Sequence, residues 1–449
     1  MIAWFKQKLY FPIAWYFRFF AAIRLRHWHP EIIVITGSSG KTTLLHLVEV
    51  QLGNAAKYSH HANSSFGIPF DILELHRKSL RQSEWFGLFF KAPVAVFKKV
   101  PKEHLYVVEA DCDRPNEGKF LASLLHPDIV LWVSSSRTHS MNFDSLVIPR
   151  SAKWRIGRDE KKNVFSNVEE AIAYEYGYFL EYCSGFAAIN GDTPLMTQQA
   201  KRSKAKIVLI QKRQHLQKYR ITGNGTEFII DTRQYRFPHL LPEELFYSIA
   251  LTRAVIEHLH SDSTIAFSHF SLPTGRSSVF AGIKNTTIID STYNANLSSM
   301  KAILAMFAQF PAKKKWVVLS DMMELGNEEQ EEHEKLAEIL TDMTLERIVL
   351  VGKRTGAYTY PKLLSLQEGR RIASSAKRGH NQVVSFLQTK DAKGYIEKYL
   401  IGGEAILFKG SQSMLLEGLI EPLLKNKSDV AKLPRRGAFW EEKRKKAGL

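Results

Sequence analysis

The chain has 449 residues, of which 45% are hydrophobic and 24% charged, and this composition excludes a largely disordered protein. The length predicts about two or three domains. Its cysteines, Cys112 and Cys183, are too few for a disulfide framework and fit a reducing compartment. A formal net charge of +17 favours anionic partners such as nucleotides, acidic substrates or a membrane surface. The sequence has neither zinc-finger spacing nor the aromatic-basic pattern of an RNA-binding sheet, so we expect no nucleic-acid partner.

Residues 1–30 form an N-terminal segment in which aromatic residues, such as Trp15 and Trp28, alternate with basic ones. Its longest charge-free run, Leu9 to Phe17, is too short to cross a bilayer. A basic, aromatic-rich helix can lie in the membrane interface, and one hypothesis is membrane-surface contact through residues 1–29. The alternative is a helix that packs its aromatic side chains on the next domain. We expect a cytoplasmic protein, which the first hypothesis would make peripheral at the inner membrane face.

The next segment is a strand-like run, Ile32–Ile35, followed by a glycine turn and an apolar helical stretch, Leu44–Leu52. The turn has the form Gly-x-x-Gly-Lys-Thr, a shorter version of the Walker pattern. Backbone N–H groups of such a loop bind phosphate oxygens, and the helix N-terminus adds its positive dipole end. Lys41 would reach the β- and γ-phosphates of ATP, and the Thr42 hydroxyl would ligate Mg²⁺. The predicted nucleotide-binding residues here are Gly37, Ser38, Ser39, Gly40, Lys41, Thr42 and Thr43.

The alternative interpretation of this turn is an ordinary strand–turn–helix joint with a surface lysine. In either case the sequence places Lys41 in a loop, where we expect it to be exposed. We therefore expect Lys41→Ala to abolish ATP turnover with little loss of stability.

Strand-like and helix-like segments alternate from residue 31 onward, which predicts an α/β fold. Residues 31–272 are predicted to form a central P-loop ATPase domain with a mostly parallel sheet, interrupted by a hairpin around Gly223-Asn224-Gly225. A second alternating set, residues 273–425, predicts a C-terminal Rossmann-like α/β domain. Residues 426–449 form a basic tail.

Polar motifs follow the predicted strands in a fixed order. The most specific are Tyr-Asn-Ala-Asn-x-x-Ser-Met, which begins at Tyr293, and Asp-Met-x-Glu-Leu-Gly, which begins at Asp321. Together with the glycine turn, these motifs resemble the Mur ligase family of ATP-dependent amide-bond ligases, over about residues 31–425. The other motifs in the order include Asn63-Ser64-Ser65, Val107-Val108-Glu109, Ser134 to His139, Ile189-Asn190-Gly191, Thr274-Gly275-Arg276, Asp290 and Lys409-Gly410-Ser411.

The resemblance implies a two-step reaction with ATP and Mg²⁺ as cofactors. A carboxylate attacks the γ-phosphate of ATP to give an acyl phosphate, and an amine then displaces phosphate to form the amide. Thr42 and Glu109 would hold one Mg²⁺, and His139 would help to hold a second. The residues that it implies for catalysis are Lys41, Glu109, His139 and Arg276.

The resemblance also implies further nucleotide and substrate contacts. Asn190 would contact adenine, and Arg276 and Asp290 would reach the nucleotide from the C-terminal domain. Taken singly, these residues have simpler interpretations as a turn asparagine, a salt-bridge donor and a helix cap. The implied substrate contacts are Asn63, Asn294 and Asn296, of which the last two could also be turn residues.

The sequence departs from the family at two places. Tyr176 stands where many members carry a lysine modified to a carbamate, so the second metal site is absent or is completed by another group such as Glu175. About 35 residues precede the glycine turn. We therefore expect the chain to lack the separate UDP-binding domain found at that place in one branch of the family, and a lipid-linked acceptor becomes a hypothesis.

The predicted function is an ATP-dependent peptide ligase that adds D-alanyl-D-alanine or a similar amine to a peptidoglycan precursor peptide. Its partners would be a small-molecule or lipid-linked peptide precursor and an amino acid or dipeptide, and we expect a monomer. One alternative is a related ligase that makes a different peptide or a polyglutamate. Another is a non-catalytic ATP-binding homologue, which Tyr176 favours.

Overall fold

The computed structural model divides the chain into two compact units and, within the residues that it describes, omits the side chains of 2–8 and 371–373. Unit 1 comprises Met1–His215 and Phe246–Phe270, and unit 2 comprises Leu216–Leu245 and Ser271–Leu449. The chain thus passes between the units at residues 215/216 and 245/246 as well as next to the expected boundary at 272/273. The described residues are 2–60, 62–76, 84–147, 165–223, 225–259, 267, 270–373 and 382–449.

Unit 1 is built on a parallel sheet with the strand order β2-β3-β1-β4-β5-β6. Its central strands are mostly apolar and mostly buried, as expected for a parallel sheet covered on both faces. Because β3 and β4 lie on opposite sides of β1, their carboxyl ends flank the turn that follows β1, where ligands bind in open α/β sheets. The strands are β1 (Glu31–Thr36), β2 (Ala56–Ser59), β3 (Leu105–Ala110), β4 (Ile129–Trp132), β5 (Phe186–Asn190) and β6 (Lys206–Ile210).

Helices cover this sheet. Their bounds are α1 (Ile2–Trp28), α2 (Lys41–Leu52), α3 (Gly67–Leu73), α4 (Glu84–Ala95), α5 (Glu117–Leu125), α6 (Val168–Glu181), α7 (Pro194–Ala200), α8 (Lys212–His215) and α9 (Leu245–His258).

Helix α1 packs against the other helices of unit 1 along the part whose side chains are described. Phe17 is fully buried and contacts Phe70 of α3, with ring centroids 4.8 Å apart. Arg24 is also fully buried, and its guanidinium donates to the carbonyl oxygen of Ala95 at 2.6 Å and pairs with Glu74 at 2.9 Å. Of the two hypotheses for this segment, packing on the next domain therefore accounts for these side chains. Among the described helices, none is long and apolar enough to span a membrane.

Unit 2 contains a second six-stranded sheet, with the order β10-β11-β15-β12-β13-β14, and a three-stranded antiparallel sheet. In the larger sheet β10 is antiparallel to β11, and the other neighbours pair in parallel. The strands of the small sheet are β7 (Leu216–Thr222), β8 (Gly225–Ile230) and β9 (Arg233–Phe237). Those of the larger sheet are β10 (Ser278–Ala281), β11 (Thr287–Ser291), β12 (Lys315–Ser320), β13 (Arg347–Val351), β14 (Gln382–Phe386) and β15 (Ala405–Lys409).

Helices also flank the larger sheet, and the predicted α/β class with its two sheet domains is confirmed. The helix bounds are α10 (Leu297–Gln309), α11 (Glu329–Thr341), α12 (Tyr360–Ala373), α13 (Thr389–Tyr399), α14 (Glu417–Ile420) and α15 (Ala438–Lys446).

Candidate ATP and metal site

The turn between β1 and α2 has the backbone of a phosphate-binding loop. Gly37 and Gly40 have φ angles of 136° and 86°, which side-chain-bearing residues rarely adopt. A Cβ atom on Gly37 would lie 2.7 Å from the carbonyl oxygen of Ser134, so this position also requires glycine for close packing. The Ser38 amide donates to that same oxygen at 3.1 Å, and the Ser39 amide donates to the Ser134 hydroxyl at 2.9 Å. The segment after β4 thus holds the turn in place.

Lys41 is buried, which corrects the expectation of an exposed loop lysine. Its Nζ lies 2.7 Å from a carboxylate oxygen of Asp111 and donates to the Gly37 carbonyl at 2.6 Å. Burial by itself lowers the pKa of Lys41, but the neighbouring Asp111 and Glu109 outweigh it and the net direction is upward. Burial raises the pKa of Asp111, but the neighbouring Lys41 outweighs this effect. The net direction for the Asp111 pKa is therefore downward, and the carboxylate stays ionised. The ion pair thus holds the Lys41 ammonium against the Gly37 carbonyl of the turn.

Thr42 and Glu109 come together as the sequence predicts for a metal site. Glu109 lies next to the end of β3, and the Thr42 hydroxyl donates to its carboxylate at 3.3 Å. Both offer hard oxygen atoms, which are the ligands that Mg²⁺ prefers. The backbone amide of Glu109 donates to the Ser59 hydroxyl at 3.2 Å, which fixes this end of the strand.

A second cluster of potential metal ligands lies beside Lys41. Ligand atoms of Asp111, Asp113 and His139 all fall within 4.8 Å of one another. His139 Nε2 is 3.1 Å from Asp113 Oδ1, and burial raises the pKa of Asp113 to about 6. Two carboxylates and an imidazole are a donor set that suits a divalent cation. Sequence reasoning named His139 and missed both aspartates, although they follow Glu109 closely in the run Glu-Ala-Asp-Cys-Asp.

Tyr176 and Glu175, the residues at the departure from the family, have different roles here. Tyr176 is fully buried, and its hydroxyl donates to Asp111 Oδ1 at 2.7 Å. The Glu175 carboxylate accepts the backbone amides of Asn116 and Gly118 at 2.8 and 3.0 Å, and burial raises its pKa to about 7. Glu175 therefore anchors the N-terminus of α5, and the negative charge beside His139 comes from the aspartates after β3.

The other predicted residues of unit 1 lie around this site. Asn190 ends β5 and is buried, where its side-chain amide donates to the Val133 carbonyl at 3.3 Å and its Oδ1 accepts the Asp192 amide at 3.0 Å. Asn63 accepts the Asp111 backbone amide at 2.8 Å through its carbonyl oxygen, and Thr43 is buried in the first turn of α2. Their predicted contacts with adenine, substrate and nucleotide stay predictions.

In unit 2, the predicted residues meet at the carboxyl ends of β11 and β15. The Arg276 guanidinium lies over the Tyr293 ring, 4.5 Å from its centroid. Lys409, which belongs to one of the motifs noted in the sequence but was given no role there, is buried at the end of β15 and donates to the Asn294 carbonyl at 3.0 Å. Burial, together with the nearby positive charge of Arg276, lowers the pKa of Lys409 to about 7. Asn296 caps helix α10 by accepting the Ser299 amide at 2.8 Å, so its side chain already has a structural role.

Asp290 is fully buried at the end of β11. One of its carboxylate oxygens accepts the amide and hydroxyl of Thr292, at 2.9 and 2.7 Å, and the other has no hydrogen-bond partner among the described residues. Burial raises the pKa of Asp290 from 3.8 to about 6. The native state therefore binds this proton more tightly than the unfolded chain does, and it loses that stability as the pH rises through about 6.

We expect Asp290→Asn to remove this pH dependence, because the amide keeps one acceptor and never ionises. Each pKa unit is worth about 1.4 kcal/mol, so the difference in free energy of unfolding, variant minus unmodified chain, should rise by about 3 kcal/mol between about pH 3 and 7. Urea unfolding of both proteins across this range measures it. Parallel pH profiles would contradict the assignment of the titration to Asp290.

Residues 275–412, which lie in unit 2, match the profile of the family described as Mur ligase, glutamate ligase domain. The UDP-N-acetylmuramoyl-tripeptide–D-alanyl-D-alanine ligase of Escherichia coli is 23% identical over 412 residues, which cover 88% of this chain and 77% of the relative. The ligase of the same name from Bacillus subtilis is 23% identical over 88% of this chain and 76% of its own length.

Solved structures of ligases with the same type of name share the fold of this chain. The MurF ligase from Thermotoga maritima, in complex with ADP, matches with a TM-score of 0.68 and 18% identity over 93% of this chain and 84% of that structure. MurF from Acinetobacter baumannii matches with a TM-score of 0.68 and 19% identity over 92% of this chain and 79% of that structure. The expectation that an N-terminal domain of such relatives is missing is not supported, because they cover 88% of this chain and are themselves covered over 77%.

Proposed function

We propose that this chain joins a carboxylate to an amine at the expense of ATP, and that its product is a peptidoglycan precursor peptide carrying D-alanyl-D-alanine or a similar amine. The observation that carries the proposal is the buried Lys41 beneath the glycine turn, next to two groups of potential metal ligands at one edge of the sheet. Phosphoryl transfer needs such positioning and charge neutralisation more than covalent help from the protein.

The predicted class, an ADP-forming ligase of the Mur type, is confirmed by the relatives. They are named as ligases that act on UDP-N-acetylmuramoyl-tripeptide and D-alanyl-D-alanine, and one related structure holds ADP. ATP use follows from this class. The choice of acceptor and amine for this chain is the finer part of the proposal.

The residues after β1 would hold the phosphates of ATP. Amides of the glycine turn would donate to phosphate oxygens, which accept several such bonds at a helix N-terminus. The Lys41 ammonium would turn from Asp111 toward the β- and γ-phosphates and neutralise charge that develops on the leaving ADP. Thr42 and Glu109 would hold a Mg²⁺ through their oxygen atoms.

The second cluster would hold a further divalent cation beside the reacting carboxylate. His139 and Asp113 supply a nitrogen and a carboxylate, and Asp111 becomes available when Lys41 turns to the nucleotide. The Tyr176 hydroxyl would then orient Asp111 by donating to its other oxygen. Many Mur ligases obtain negative charge at this place from a modified lysine, whereas in this chain the aspartates after β3 would supply it. This replacement argues against a non-catalytic homologue. A bound cation would offset the repulsion between carboxylate and triphosphate.

The proposed reaction has two steps. An acceptor carboxylate oxygen bonds to the γ-phosphorus as the bond to the β-phosphate oxygen breaks, which releases ADP. The amine nitrogen then bonds to the acyl carbon, phosphate leaves with the electron pair, and the nitrogen loses a proton. Arg276 and Asp290 are proposed to act on the nucleotide, and Asn63, Asn294 and Asn296 on the substrates. Since Asn296 caps α10, Asn294 is the better candidate of the last pair.

Acceptor-dependent ADP release tests the proposal. The protein is incubated with ATP, Mg²⁺ and D-alanyl-D-alanine, and with either UDP-N-acetylmuramoyl-tripeptide or a lipid-linked equivalent. We expect ADP release only when acceptor and dipeptide are both present. If ADP were released with the lipid-linked acceptor and the dipeptide but not with the UDP-linked acceptor, a membrane-bound substrate would be supported.

Two results would contradict the proposal. ADP release with glutamate in place of the dipeptide, and none with D-alanyl-D-alanine, would indicate a polyglutamate or other peptide product. Tight ATP binding without turnover on any acceptor would indicate a non-catalytic homologue.

A further inference from the structure

Helix α4 exposes large apolar side chains to solvent. Phe86, Phe90, Val94 and Phe97, the last just beyond the end of α4, are 74%, 78%, 65% and 86% exposed, respectively. Their spacing of four, four and three residues places them on one side of the helix. We call these four residues the α4 apolar face. Single exposed apolar residues are common on soluble proteins, but a contiguous row of this kind marks an interaction surface.

The opposite side of α4 packs against the rest of unit 1, in particular helix α1. Leu88 and Ala92 are buried, and the Phe89 carbonyl accepts the Tyr16 hydroxyl of α1 at 2.8 Å. The carbonyl oxygens of Ala95 and Lys98 accept the buried Arg24 guanidinium at 2.6 and 3.2 Å. The helix therefore cannot turn its apolar face inward without losing these contacts.

Helix α1 adds to the surface beside α4. Phe19 is 60% exposed, whereas Phe17 on the other side of the same helix is buried. Trp15 is 50% exposed, but its ring packs edge-on against Phe120 of α5. Phe19 stacks edge-on against Phe20, which in turn contacts Tyr16 at the junction with α4. Tryptophan and phenylalanine are the residues that insert at the boundary between lipid headgroups and acyl chains.

Basic side chains accompany this apolar row. Lys91 lies on α4, and the segment that follows carries Lys98, Lys99 and Lys102, all exposed. From Phe86 to Lys102 the sequence has no aspartate or glutamate. An amphipathic surface with lysines at the edge of aromatic residues is complementary to a bilayer of anionic phospholipids.

We propose that the α4 apolar face, with its flanking lysines, binds the surface of an anionic phospholipid bilayer. The aromatic side chains would enter the acyl boundary, and the lysines would pair with headgroup phosphates. A second copy of this chain is a poorer occupant, because two such faces would bring lysines against lysines. The membrane contact that one hypothesis assigned to residues 1–29 is thereby centred on α4, with α1 contributing Phe19.

Flotation of the full chain with lipid vesicles tests this inference, and its readout does not depend on ligase activity. Vesicles of phosphatidylcholine are compared with vesicles that also contain phosphatidylglycerol. We expect binding to the anionic vesicles and, in the variant Phe86→Ser/Phe90→Ser/Phe97→Ser, a reduction of roughly tenfold or more. The matched control is Leu387→Ser/Ile401→Ser/Phe439→Ser, which removes side chains of 64%, 69% and 52% exposure from unit 2 and should bind like the unmodified chain.

Reversing the charge of the flanking lysines tests their part in the proposed membrane binding independently of the aromatic residues. The variant Lys91→Glu/Lys98→Glu/Lys102→Glu should lose binding to anionic vesicles, and added salt should weaken binding of the unmodified chain. Failure of the unmodified chain to bind either vesicle would overturn the proposal, as would undiminished binding by the triple-serine variant. A concentration-dependent dimer abolished by that variant, without vesicle binding, would assign the face to a second copy instead.

Discussion

Replacing Lys41 by alanine is expected to lower ATP turnover by about a thousandfold and to destabilise unit 1. The loss of turnover follows from removing the charge that neutralises the transferred phosphate. The loss of stability follows from the ion pair at 2.7 Å, because the variant leaves the buried Asp111 carboxylate without its cation. Breaking a buried pair in this way costs about 3 kcal/mol. Steady-state ADP release and urea unfolding measure the two effects.

A second substitution separates these two effects of the Lys41 variant. Lys41→Ala/Asp111→Asn removes both charges, so it should recover most of the lost stability and none of the activity. Lys57→Ala is the matched control, since its Nζ lies 3.9 Å from a half-buried carboxylate, that of Asp71, and it should keep turnover. Normal turnover by Lys41→Ala would refute the phosphate site, and unchanged stability would refute the importance of the buried pair.

The sequence was sufficient to predict the β1 turn because its geometry is local. Gly37 and Gly40 adopt positive φ values that their residue type permits, and the strand before them is a continuous apolar run. The burial of Lys41 could not be predicted in the same way. It depends on Asp111, which directly follows β3, far along the chain, and becomes a neighbour of Lys41 only through the pairing of β3 with β1.

The same distinction explains the other differences. The aromatic residues of α1 suit either a membrane or a protein interior, and only the positions of α3 and Phe70 show that Phe17 is buried. Helix α4 was not predicted from the sequence. Its solvent-facing side is as apolar as its core-facing side, so the hydrophobic residues of this segment do not show a helical period. Asn296 was predicted as a substrate residue and caps a helix, a role that its sequence position also allowed.

The metal cluster after β3 leads to the second large effect. Asp113→Asn should raise the Mg²⁺ concentration for half-maximal ADP release by at least about tenfold, because it replaces an anionic ligand beside His139 by a neutral amide. Calorimetric titration of Mg²⁺ into the protein with ADP should show the same shift without turnover. Asp71→Asn is the matched control, since this carboxylate bonds to the Tyr106 hydroxyl at 2.7 Å and lies outside the cluster.

Glu175 distinguishes this cluster from the arrangement suggested by the sequence. Its carboxylate accepts the Asn116 and Gly118 amides, so Glu175→Gln should lower the stability of the N-terminus of α5 and leave the Mg²⁺ requirement near that of the unmodified chain. If Glu175→Gln raised the Mg²⁺ requirement and Asp113→Asn did not, the cation would be held by α6. The aspartates after β3 would then serve only to hold Lys41, and the loss of the family's lysine at Tyr176 would have no replacement in this loop.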